Sequence, residues 1–161
     1  MKVVVFDFDD TLFHTPVPKT GHEIFKQKTG KEWPYRGWWG RKESLDTNIF
    51  DIPINKNIFQ EYIKYKIDPD NLVILATGRL DNLRPELDNI LNLYEIKFDQ
   101  IHMNPGMDTL RFKLNLFSNL LKKYKPTELV IFDDRDPHLQ SFRAWADNQH
   151  ISVNVFDAKQ F

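Results

Sequence analysis

The chain contains no cysteine, which excludes disulfides, thiol nucleophiles and cysteine-ligated zinc. It has no internal repeat and no low-complexity segment, so solenoid and linker architectures drop out. Charge of neither sign prevails. The formal net charge of -1 creates no whole-molecule field for polyanions, and any nucleic-acid binding has to rest on local basic patches. No apolar run is long enough to span a bilayer, and Met1-Lys2-Val3 leads directly into a short apolar run and then acids, unlike a secretory signal. A cytoplasmic, intracellular protein with no membrane partner is the expectation. What remains is an ordinary globular composition, 41% hydrophobic and 28% charged over 161 residues, which suits a single domain with a sizeable core.

Against that background, Val3-Val4-Val5-Phe6 runs straight into Asp7-Phe8-Asp9-Asp10. A β-branched and aromatic run without alternation predicts a parallel strand covered on both faces, and ligands of open α/β sheets bind beyond the carboxyl ends of such strands. Asp7 and Asp9 should therefore open onto a site. A second acid-tipped strand is expected at Leu129 to Phe132, leading into Asp133 and Asp134. Converging carboxylates repel unless a cation joins them, and hard oxygen donors select Mg²⁺ or Ca²⁺. The natural reading is a Mg²⁺ site serving phosphate chemistry.

Between these strands, elements alternate. The apolar run Leu72 to Ala76 predicts a strand ending in a turn at Gly78, and Ile151 to Phe156 a last strand. A short strand is expected near Ile96 to Ile101. Ile58, Phe59, Tyr62 and Ile63 fall on one helical face, as do Leu83, Leu87, Ile90, Leu91 and Tyr94, and again Leu110, Leu114, Phe117, Leu121 and Tyr124. A further helix is expected from Asp136 as cap and Pro137 in the first turn. Residues 14–55 read as an irregular insertion. The fold expected is α/β, a three-layer, mostly parallel Rossmann-like sheet formed by the single domain 1–161, with 14–55 as a small cap-like insertion.

Each strand end then brings a group suited to phosphoryl transfer. Asp7 can attack phosphorus as a carboxylate nucleophile, and Asp9 can protonate the leaving oxygen and later activate water. Asp133 and Asp134 would hold Mg²⁺ with Asp7. The Thr77 hydroxyl would bind a phosphate oxygen, and Lys113 would balance negative charge. For Thr77 the competing reading is a plain turn residue, and for Lys113 the solvated face of a helix.

With these residues assembled, the chain resembles the haloacid-dehalogenase-like (HAD) superfamily of phosphatases. The DxDxT pattern falls on Asp7, Asp9 and Thr11, followed in order by Thr77, Lys113 and the pair Asp133-Asp134. The resemblance implies Asp7 as nucleophile, Asp9 as general acid/base and donor of a backbone carbonyl to Mg²⁺, and Thr77 and Lys113 as phosphate holders. Asp10 stands where that superfamily often has glycine. Thr77-Gly78-Arg79 with Asp133-Asp134-Arg135 is similar to paired motifs in the phosphatase halves of polynucleotide kinase-phosphatases. Leu12-Phe13-His14-Thr15-Pro16, Gly37-Trp38-Trp39 and Thr109 to Lys113 resemble the Swiss Army Knife RNA-repair-like HAD subfamily.

These likenesses imply a phosphorylated substrate, with RNA or DNA ends favoured and the 3′ phosphate preferred, and make Gly78, Arg79 and Arg135 substrate-binding candidates. The bland alternative for each arginine is an ion pair with a nearby aspartate. The insertion interleaves Trp33, Tyr35, Trp38 and Trp39 with basic residues, as in single-strand binders, or else forms a packed hydrophobic flap. Rival functions are a small-molecule phosphatase on nucleotides or sugar phosphates and a non-catalytic HAD-like binding module.

Overall fold

The computed structural model describes all of residues 1–161. Its elements in chain order are β1 (Lys2–Phe6), α1 (Pro18–Thr29), α2 (Lys56–Lys66), β2 (Leu72–Leu80), α3 (Arg84–Leu93), β3 (Gln100–Asn104), α4 (Thr109–Tyr124), β4 (Glu128–Asp133), α5 (Asp136–Ala146) and β5 (Ser152–Asp157). The five strands form one sheet in the order β3-β2-β1-β4-β5, parallel throughout. This is the α/β, Rossmann-like arrangement that the alternation of apolar runs and amphipathic helices predicts.

β1 lies at the centre, and its side chains alternate between two cores. Val4 and Phe6 join Val73, Leu75, Val130 and Phe132 on the face covered by α2, α3 and residues of the 14–55 insertion. Val3 and Val5 join Ile74, Ala76, Leu129 and Ile131 on the face covered by α4 and α5. Phe6 and Phe132, partners in register, stack with ring centroids 4.7 Å apart. Each such fully buried side chain contributes about 1.5–3 kcal/mol of hydrophobic stabilisation. The strand order reverses at β1, because the chain leaves it towards β2 and returns on its other flank as β4. The crevice beyond the carboxyl ends of β1 and β4 is thus the topological switch point, where such sheets bind ligands.

Several local expectations need correction. Residues 14–55 contain a 12-residue helix, α1. Its apolar periodicity is weak, and of its residues only Gly21 and Phe25 are buried. What holds it is a close approach, since a Cβ at Gly21 would lie 2.0 Å from Trp38 Cη2. The ends of this segment are tied together by His14 N to Pro53 O (2.9 Å) and Asn55 N to Leu12 O (2.7 Å).

β2 does not end before Gly78 but runs to Leu80, with an irregular register between Thr77 and Leu80. Gly78 serves close packing, not a turn, because a Cβ there would meet Thr109 Cγ2 at 2.6 Å. On α2 the inward face carries Tyr65 while Ile63 is exposed. β3 begins at Gln100 because Glu95, at φ 56, and the bond from Ile96 N to Leu91 O close α3 first. Asp136 is the first residue of α5 and makes no cap; its carboxylate binds Lys159 instead.

Candidate active site

The hydrogen bond from Asp7 N to Phe132 O (3.0 Å) extends the β1–β4 ladder one step and sets the Asp7 side chain at the switch point. The chain then doubles back, with Leu12 N bonded to Asp7 O and Phe13 N to Phe8 O. Asp10 takes the left-handed conformation, φ 54. That region suits glycine best and tolerates Asp better than most residues, which accounts for the acid at a position where the resemblance leads one to expect glycine. The tight reversal buries Thr11, whose Oγ1 lies 3.3 Å from Asp7 Oδ2 and 3.4 Å from Asp134 Oδ1.

β4 ends at Asp133, and carboxylate oxygens of Asp7, Asp133 and Asp134 all lie within 4.8 Å of one another. Lys113, carried into the same crevice by α4, is buried, with 3% of its surface exposed. Its Nζ donates to Asp7 Oδ1 at 2.9 Å and to Asp133 Oδ2 at 2.7 Å. Asp133 Oδ1 accepts the backbone N–H groups of Asp134 and Arg135 at 2.8 and 3.2 Å. Burial acts to raise the Asp133 pKa, but Lys113 and these N–H groups outweigh it and hold it below its ordinary value. Burial and then repulsion from Asp133 push Asp7 well above the carboxylate range. The same two causes raise Asp134. Burial would lower the Lys113 pKa, yet the charges of Asp7 and Asp133 win and raise it. One cation thus faces three crowded acids, a donor set of hard oxygens that fits a divalent ion such as Mg²⁺.

Asp9 stands outside that trio. Its carboxylate is gripped bidentately by Arg79, Nε to Oδ2 at 3.0 Å and Nη2 to Oδ1 at 2.8 Å, and accepts a third bond from Thr15 Oγ1 at 2.7 Å. Arg79 is itself buried, its Nη1 donating to Trp39 O at 2.9 Å and to Ser44 Oγ at 2.7 Å. Above these groups opens a cavity of about 500 Å³. Its wall includes Asp7, Asp9, Asp134, Gly78, Arg79, Lys113 and Arg135, together with Asp10, Val17, Trp39, Thr109 and His138.

Over residues 21–160 the sequence matches HAD domain family 1 in Swiss Army Knife RNA repair proteins. The chain belongs to that family. Two solved structures share the fold. One is a chain in a structure of the Pnkp1/Rnl/Hen1 complex, 17% identical, with 97% of this chain and 45% of that one covered and a TM-score of 0.60. The other is a chain in a structure of the Pnkp1/Rnl/Hen1 RNA repair complex, 19% identical, with 97% and 42% covered and a TM-score of 0.61. The chain therefore spans less than half the length of either neighbour. Its family makes it a HAD-type phosphatase domain, a hydrolase by class. No helix is long and apolar enough to cross a membrane.

Within this HAD domain, most residues singled out by sequence meet at the switch point, but not always in the expected posture. Thr77 is fully buried and does not line the cavity; its Oγ1 accepts the backbone N–H of Arg79. Arg79 lines the cavity, yet four of its five N–H donors already serve Asp9, Trp39 and Ser44. The ion-pair reading describes it, whereas Arg135 has no acidic side-chain partner. The tandem tryptophans part company: Trp38 is buried and Trp39 lines the cavity.

Thr109 and His138 were not singled out as site residues. His138 is 6% exposed, and its Nδ1 is buried without a hydrogen-bond partner. Its position one helical turn after Arg135 on α5 is the signal that could have revealed it.

Proposed function

We propose that this HAD domain is a Mg²⁺-dependent phosphomonoesterase that works through an aspartyl-phosphate and removes terminal phosphates, 3′ in preference, from RNA or DNA ends during repair. The observation that carries this reading is the buried Asp7–Lys113–Asp133 arrangement with Asp134 beside it. Asp7, Asp133 and Asp134, with the backbone carbonyl of Asp9, would hold the Mg²⁺. The bound ion would supply charge neutralisation between carboxylate and phosphate and polarise the phosphoryl group.

The chain's own residues do the rest. An Asp7 carboxylate oxygen attacks phosphorus as the bond to the ester oxygen breaks. Asp9, oriented by Arg79 and Thr15, hands a proton to that leaving oxygen and then accepts one from the water that releases phosphate from Asp7. Lys113 keeps one donor beyond its two aspartates for a phosphoryl oxygen, and Arg135 offers its guanidinium to the phosphate or adjoining backbone. Gly78 allows Thr109, and with it the start of α4, to approach the site closely. Residues 14–55 act as a small cap that leaves the cavity open to a bulky or polymeric substrate.

The test is phosphate release with Mg²⁺ from 3′-phosphorylated and 5′-phosphorylated oligonucleotides and from free nucleotides, for the native chain and Asp7→Asn. Fastest release from 3′ ends, abolished in the variant, is expected. Hydrolysis undiminished in Asp7→Asn removes the nucleophile assignment. Equal or faster turnover of free nucleotides transfers the reading to a small-molecule phosphatase.

A further inference from the structure

We infer that the cavity holds a base-stacking subsite on Trp39, so that this enzyme selects phosphate ends carrying a nucleobase over those offering a sugar alone. The inference rests on the phosphatase reading above and names which part of the leaving group is recognised.

Trp38 and Trp39 are adjacent in sequence and opposite in fate. Trp38 is 4% exposed, its ring packed on Trp33 and Phe50 and its Nε1 bonded to Pro16 O. Trp39 is 42% exposed. Core packing therefore accounts for the first ring and not the second. Trp39 and Val17, itself 41% exposed, are the two hydrophobic residues of the cavity wall, and both come from the insertion.

Trp39 is also held in place. The Arg79 guanidinium lies 5.0 Å from its ring centroid, and Arg79 Nη1 bonds its carbonyl oxygen. A cation on one ring face leaves the other for a ligand, and a ring already ordered loses little freedom on binding. Arg79 bonds Trp39 and Asp9 at once. The carboxylate that would protonate the leaving oxygen and the exposed indole therefore share one cavity wall, joined through a single guanidinium. A cavity of about 500 Å³ is of nucleotide size rather than phosphate size, and a flat aromatic base is the substituent that an exposed indole beside a cation binds best.

The experiment compares two 3′-phosphorylated oligonucleotides, identical except that one has an abasic terminal sugar, in steady-state turnover with Mg²⁺ and in equilibrium binding by fluorescence anisotropy. The base-bearing end should show a KM and Kd lower by roughly 5–150-fold, the range that base–aromatic stacking carries. That ratio should collapse towards one in Trp39→Ala and largely survive in Trp39→Phe. Equal Kd for the two ends in the native chain, or a ratio unchanged in Trp39→Ala, overturns the subsite. No release from either end refutes the phosphatase reading itself, and the Kd comparison then still decides the stacking.

Discussion

Lys113 is the sole cation within hydrogen-bonding distance of Asp7 and Asp133, at 2.9 and 2.7 Å, and Lys113→Met isolates that relation. Methionine keeps most of the volume and removes the charge, leaving two buried carboxylates opposed. Removing one partner of a buried pair costs about 3–5 kcal/mol, and here one ammonium serves two acids. For a domain of this size that corresponds to a melting temperature lower by roughly 6–20 °C. The assay is thermal unfolding in EDTA from pH 7.5 downwards. In the native chain Lys113 depresses the folded-state pKa of Asp133, so this contribution is present above the unfolded value of about 3.9 and is lost as pH falls through the depressed one. In the variant burial prevails and both acids titrate above their unfolded values, which destabilises the fold increasingly as pH rises. The deficit should be greatest at pH 7.5 and shrink towards pH 4. Mg²⁺ should narrow it further, because acids freed of the ammonium bind the ion more tightly than in the native chain, and each tenfold gain in affinity at saturation adds about 1.4 kcal/mol to the variant's stability. A deficit independent of pH, or below about 1 kcal/mol in EDTA at pH 7.5 when ~3–5 is expected, would refute the reasoning.

Asp7→Asn should melt above the native chain in EDTA at pH 7.5, because burial and the Asp133 charge raise the folded-state Asp7 pKa, so this carboxyl costs stability increasingly as pH rises above its unfolded value of about 3.9. The gain should vanish near pH 4 by calorimetry, and a lower melting point at pH 7.5 would count against it. Gly21→Ala should destabilise by up to about 2 kcal/mol in urea unfolding, the overpacking cost less the helix-propensity gain. The helix-propensity gain is about 1 kcal/mol, but the new Cβ would sit 2.0 Å from a Trp38 ring boxed in by Trp33 and Phe50, and such overpacking costs about 1–3 kcal/mol or more; a stabilised variant contradicts the packing. Arg79→Lys should lower kcat on the order of 10²-fold, because an ammonium cannot grip both Asp9 oxygens while also bonding Trp39 O and Ser44 Oγ. An undiminished kcat, read by continuous phosphate release, would mean that Asp9 needs no such support.

Much of the site was legible because its signals are local. Val3 to Phe6 and Leu129 to Phe132 are apolar without alternation, so their strands had to be buried on both faces, and acids directly after them had to emerge at the carboxyl edge. Helical spacing placed Lys113 on α4 in the same way. α1 was not legible, since its anchor is Gly21 against Trp38, a contact across the insertion that no periodicity reports. Tyr65 stands on the inward face of α2 where Ile63 is expected, because a rotation of roughly one-sixth of a turn satisfies the same apolar pattern, and only the neighbours decide which side chain finds a pocket.

By itself, then, the sequence determined a parallel sheet with Asp7, Asp9, Asp133, Asp134 and Lys113 delivered to one edge, because strand burial and helix faces follow from the order of residue types. Tertiary structure alone decided which partners these groups take. It set Lys113 between Asp7 and Asp133, turned Arg79 to Asp9, and sent Trp38 inward while Trp39 stayed in the cavity. The physical reason is competition: a charged or aromatic side chain settles on whichever partners surround it in three dimensions, and those come from segments far apart in the chain.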